Sequence, residues 1–113
     1  ELRAPRLVEA ADAAVALTNL DRAVGYLKEA LELDALNEAA VTMLVDVYGQ
    51  QGEYRPAASL LTSFLENTQE EYEDSAGWSR QAALYERLAA LHQHGLEDPL
   101  RAIEALEKAL ELD

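Results

Sequence analysis

Cysteine is missing from this sequence, so a disulfide framework and a cysteine-based zinc site are both excluded. Long hydrophobic runs are missing too: no stretch reaches the roughly 18 apolar residues that a membrane-crossing helix needs. Aromatics make up 6% of the chain, so any core must be aliphatic and alanine-rich. Three prolines and five glycines are few interruptions for 113 residues. Basic residues are scarce, nine against 22 acids, for a net charge of −13. A phosphate binder needs a basic face, so nucleic acid is excluded as a partner, as are anionic membrane surfaces. A neutral or basic protein partner fits this charge; a merely solvated acidic surface is the plainer alternative. No signal peptide and no initiator methionine is present, and the chain starts at Glu1 and stops within a helical pattern. Both features predict a segment of a longer protein. Cytoplasm is the expected compartment, with periplasm left open. Arginine over lysine, with abundant alanine, points to a GC-rich bacterial genome.

What is present is helix-forming. Ala, Leu and Glu dominate, and half the residues are hydrophobic. Apolar residues recur at i, i+3, i+4 and i+7 along six segments. Leu7, Ala10, Ala11 and Ala14 share one face, then Leu20, Ala23, Leu27, Ala30 and Leu31. Val41, Leu44, Val45 and Tyr48 follow, then Ala57, Leu61, Phe64 and Leu65. Leu84, Leu88 and Leu91 mark the fifth segment, and Ile103, Leu106 and Leu110 the sixth. The breaks carry turn chemistry. Asn19 and Asp21 sit in the first break, and Asn37 can cap the third helix. Gly52 can take the positive φ of a helix stop. Pro56 and Pro99 fall in first turns, where a missing N–H costs nothing, and Asp98 can cap the last helix. Residues 74–77 read as the fourth break. The expectation is all-α, with about six antiparallel helices joined by short turns.

The pentapeptide Ala-Leu-Glu-Leu-Asp stands at 30–34 and again at 109–113. Shifting the chain by 34 residues places Leu7 on Val41, Ala10 on Leu44, Ala23 on Ala57, Leu27 on Leu61 and Leu31 on Leu65. In the middle of the chain, Leu44, Val45, Tyr48, Gly52, Tyr54 and Ala57 form a helix–turn–helix pattern. Near the end, Tyr85, Leu88, Ala89, Asp98, Ala102, Leu106 and Ala109 repeat it. This pattern resembles the tetratricopeptide repeat, whose period is 34. The resemblance implies a right-handed α-solenoid of three helix–turn–helix units, at about 4–37, 38–71 and 82–113, with an insertion at 72–81. The pentapeptides lie 79 residues apart; two periods leave eleven, ten in the insertion and one in the last inner turn, at Leu96–Pro99. Ala23, Ala57 and Ala102 let helices approach closely, Leu27, Leu61 and Leu106 fill the space between units, and Leu31 and Leu110 close the stack. Each helix pair covers one of its two apolar faces and stacking buries the other, so the last pair is expected to expose an apolar side.

No residue pattern points to catalysis, metal or cofactor. His92 and His94, the two histidines, diverge by about 200° on a helix and cannot share one metal. His92 reads as a half-buried packing residue and His94 as exposed. The acid pairs Glu70-Glu71 and Glu73-Asp74 read as a solvated helix end. The chain is therefore expected not to be an enzyme and to need no cofactor.

Recognition of a protein remains. The resemblance implies a concave groove lined by the first helix of each unit. Its residues are Val8 and Asp12, then Thr42, Met43, Asp46, Gly49 and Gln50, then Glu86, Arg87, Ala90, Gln93 and His94. Relatives that grip a partner's C-terminal carboxylate use a Lys and Asn clamp there; this chain has Val8 with Asp12 and Thr42 with Asp46, and the acids would repel a carboxylate. The expected ligand is a basic segment with small apolar side chains, Met43 offering an adaptable contact. A solvated groove is the alternative. Trp78, the one tryptophan, anchors the insertion or meets a partner. A second function class is a structural spacer or self-association through uncapped ends.

Overall fold

A computed structural model describes residues 3–68 and 75–112. The described residues contain six α-helices and no strand. These are α1 (Arg3–Ala16), α2 (Leu20–Leu33), α3 (Glu38–Gln50), α4 (Tyr54–Thr68), α5 (Ser75–Ala90) and α6 (Pro99–Leu112). A π turn over Leu91–Gly95 extends α5. The caps at Asn37 and Asp98 are those the sequence expects, and Asn19, placed there only in a break, is a third. Asn19 accepts from the Arg22 N–H at 3.3 Å, Asn37 from the Ala40 N–H at 3.1 Å, and Asp98 from the Arg101 N–H at 3.3 Å. Each satisfies a first-turn donor that has no partner inside its helix.

The fourth break is a correction. Residues 75–77 are the first turn of α5, not a gap before it. Ser and Gly suit a helix start as well as a break, so the sequence signal was ambiguous. Residues 75–81 of the expected insertion are thus helical, while 72–74 and the acid pairs at 70–71 and 73–74 lie outside the described residues.

The contacts group the chain into two units, Glu1–Glu53 and Tyr54–Asp113. In the first, α2 packs on α1 and α3, and α1 touches α3. Alanines make the close approach: Ala11, Ala23, Ala30 and Ala40 are all 0% exposed. Leu27 is the large fully buried side chain of α2, and burying it is worth about 1.5–3 kcal/mol.

In the second unit, α5 packs on α4 and α6, and the π turn touches both. Tyr54 lies over Gly95. A Cβ on Gly95 would sit 2.5 Å from Tyr54 Cγ and 2.7 Å from Cδ1, so the glycine is there for space. Tyr54 therefore packs α4 against the π turn. Ala102, Ala105 and Ala109 bury one face of α6. Leu106 and Leu110, expected to fill space and close the stack, are instead exposed, because no described helix lies over that side of α6.

Three helices end alike. Thr18, Gly52 and Glu97 have φ of 60°, 76° and 51°, the left-handed region. After α1, the Thr18 N–H donates to the Val15 carbonyl at 2.9 Å and the Asn19 N–H to the Ala14 carbonyl at 2.8 Å. After α3, the Gly52 N–H donates to the Gly49 carbonyl at 3.1 Å and the Glu53 N–H to the Tyr48 carbonyl at 2.8 Å. Both are Schellman stops. After α5 the loop is one residue wider: the Asp98 N–H reaches the His92 carbonyl at 2.7 Å, and the Leu96 N–H reaches the Leu91 carbonyl at 2.9 Å. The extra residue is therefore taken up within the helix as a single π turn, and not in Leu96–Pro99 as the sequence suggests.

Candidate interaction surfaces

In the first unit, α1 contributes half-buried Val8 and exposed Asp12. α3 contributes half-buried Thr42 and Met43, and exposed Asp46 and Gln50. Asp12 and Asp46 are 34 residues apart and stand on two touching helices. Thr42 offers less than the sequence suggests. Its hydroxyl donates back to the Glu38 carbonyl at 3.0 Å, so the proton is already engaged.

In the second unit, Arg87 is half-buried on α5, and Gln93 and His94 are exposed on the π turn that follows. The structure thus collects the expected residues into two local sets, one on α1 and α3 and one at the end of α5. His92 is more deeply buried than expected, at 7% exposed, and its Nδ1 has no hydrogen-bond partner. His92 and His94 point to different environments, as their spacing predicts.

Residues 82–113 match the family model described as tetratricopeptide repeat. The match spans the buried face of α5, the widened stop and all of α6 within the described residues. Residues 82–113 are thus a tetratricopeptide repeat. No curated protein matches the chain. Tetratricopeptide repeats are typically non-catalytic modules of protein–protein interaction, and that is the class of function this repeat brings. No described helix is long and apolar enough to cross a membrane. Among the described residues no three metal-ligating side chains gather.

The sequence did not expect a surface that the repeat makes with α4. α4 and α6 flank α5 without packing on each other, which leaves a furrow of about 530 Å³ floored by Leu65, Leu88 and Ala105. At one end it adjoins a recess of about 200 Å³ lined by Trp78 and Gln81. At the other, a recess of about 470 Å³ is lined by Arg55, Ser59 and Asp98. Trp78 stands in the first turn of α5, not in a loop, and is 43% exposed. Gln81 is 2% exposed, and its Nε2 donor has no partner. Tyr85 lies mid-furrow. Burial pushes its phenol above the ordinary value, and the Glu66 and Glu111 carboxylates add to that by opposing a phenolate. A signal for this surface was available in the sequence: Gln81, Tyr85, Leu88 and His92 follow i, i+4, i+7, i+11, putting polar groups on an apolar stripe.

Proposed function

We propose that the chain captures a basic segment of a partner protein on the face shared by α1 and α3. The observation that carries this reading is the pair Asp12 and Asp46, exposed at equivalent repeat positions on touching helices. Val8 and Met43 supply half-buried apolar surface beside them, with Gln50 as a further polar contact. Exposed charge pairs gain little individually, so two acids serve mainly to select a basic partner and speed encounter. In the second unit, Arg87, Gln93 and His94 form a separate polar set, whose contact with such a partner would be through Gln93 and His94, since the Arg87 cation repels basic side chains. Capture requires no chemistry from the chain and no cofactor. The repeat units at about 4–37, 38–71 and 82–113 belong to this reading.

Isothermal titration with a lysine-rich peptide tests it. Binding is expected to weaken as salt rises, and Asp46→Lys to weaken it about tenfold, equal to about 1.4 kcal/mol. Binding indifferent to Asp46→Lys sinks the assignment to this face.

A second reading, association with another copy or a further repeat, is favoured by one observation. Leu100, Ile103, Leu106 and Leu110 are 73%, 52%, 42% and 77% exposed along one side of α6. Their equivalents on α2 and α4 include the fully buried Leu27 and Leu61. Sedimentation equilibrium discriminates: a chain monomeric at high concentration rules out self-association, whereas a dimer dispersed by Ile103→Glu supports it.

A further inference from the structure

Two buried side-chain polar atoms have no partner among the described residues: His92 Nδ1, of a residue that lines the α4–α6 furrow, and Gln81 Nε2, of a residue that lines the recess adjoining its end. Leaving such an atom unpaired costs about 1–3 kcal/mol, so two in one surface require an account. Hydrophobic residues would have stabilised the chain better. Gln81 and His92 are eleven residues apart on α5 and its π turn, about 16 Å at 1.5 Å per residue. That distance is the length of about five extended residues. The floor between them is apolar, and the rim carries four glutamates, Glu66 from α4 and Glu104, Glu107 and Glu111 from α6, against two cations, Arg101 and Lys108 of α6. Arg101 on the same rim is already paired with Asp98 at 3.3 Å.

We infer that the α4–α6 furrow is a recognition site of its own, and that it takes an extended, basic segment of a partner protein. A helical occupant satisfies its own carbonyls and has none to offer the Gln81 amide. An extended segment has unpaired carbonyls that need donors. Its side chains alternate, so every second one meets the floor while basic residues between them reach the glutamates. Trp78 closes one end as an exposed aromatic wall, the kind of side chain that anchors an interface. This site lies wholly in the second unit and does not rest on the α1–α3 reading.

The test is amide NMR of the whole chain titrated with the blocked peptide acetyl-Lys-Val-Lys-Val-Lys-amide and, separately, its glutamate counterpart. The basic peptide is expected to shift the Gln81 side-chain amide and the Trp78 indole N–H, and the acidic peptide neither. Gln81→Leu, of similar shape, removes the unpaired donor, so the chain keeps its melting temperature or gains. The same change is expected to weaken the basic peptide roughly tenfold, because a peptide carbonyl loses its donor. Asp46→Lys leaves these shifts in place, so the two sites fail separately. Shifts confined to α1 and α3, equal shifts from the acidic peptide, no shifts, or undiminished binding to Gln81→Leu would each overturn the inference.

Discussion

Leu27 on α2 is 0% exposed, whereas Leu106, its equivalent on α6, is 42% exposed. One step further along, Leu31 is half-buried and Leu110 is 77% exposed. The two helices carry the same stripe and the same closing pentapeptide, but α3 lies on α2 and no described helix lies on that side of α6. A repeat encodes an apolar face locally; a neighbour decides whether that face becomes core. α3 and α5 differ in a second way. α3 presents Val41, Leu44 and Tyr48 at the positions where α5 has Tyr85, Leu88 and His92, and Gln81 adds a further polar group one turn earlier. The first unit thus follows the repeat pattern closely. The second departs from it, and its departures collect along one furrow. Local rules are most often broken where a surface has work beyond folding.

The comparison breaks most easily at the two leucines. Leu27→Ala is expected to cost about 3 kcal/mol, since it removes a fully buried side chain and leaves a cavity. Leu106→Ala should cost about 1 kcal/mol or less, because much of its surface is already in water. Urea denaturation of both variants measures the gap. Equal losses would mean that α6 is covered in solution, which favours self-association.

Glycine sharpens it next. Gly95→Ala drives a methyl group into the Tyr54 ring and should cost about 2 kcal/mol through overpacking. Gly25, exposed within α2, has nothing within 4 Å of an added Cβ. Gly25→Ala is therefore expected to raise stability by about 0.5–1 kcal/mol. Opposite signs from the same substitution in the two units check the packing of Tyr54 directly; a neutral Gly95→Ala would contradict it.

These contrasts also show what could be read from the sequence. Helix number, the caps at Asn37 and Asp98, the prolines in first turns and the stop at Gly52 are matters of local chemistry, and the sequence states them. The start of α5 was misread because Ser75 and Gly77 suit a turn and a first helical turn equally well. The single extra residue was detected by counting periods but placed in the loop, because nothing local tells a π turn from a longer connection. Asp12 and Asp46 were visible as a repeat-spaced pair. The furrow was not, since three helices must pack before Gln81 and Glu66 line one surface, although polar residues on the α5 stripe hinted at it.

The helix stops carry effects of about 1 kcal/mol or less, and they test whether the three turns share one backbone. Thr18, Gly52 and Glu97 each adopt positive φ, yet one of the three is glycine. A side chain in the left-handed region costs about 1 kcal/mol, through contact of Cβ with the following carbonyl. Gly52→Ala should therefore lose about 1 kcal/mol, while Glu97→Gly should gain up to about that much, reduced by the greater chain entropy of an unfolded glycine. Thr18→Gly should gain more than Glu97→Gly, because a β-branched residue fits that region worst. Thermal melts of the three variants, read as shifts in Tm, give the ordering. A loss at Glu97→Gly would show that the widened stop after α5 holds its backbone by interactions of the glutamate side chain, which the Schellman stops after α1 and α3 do without.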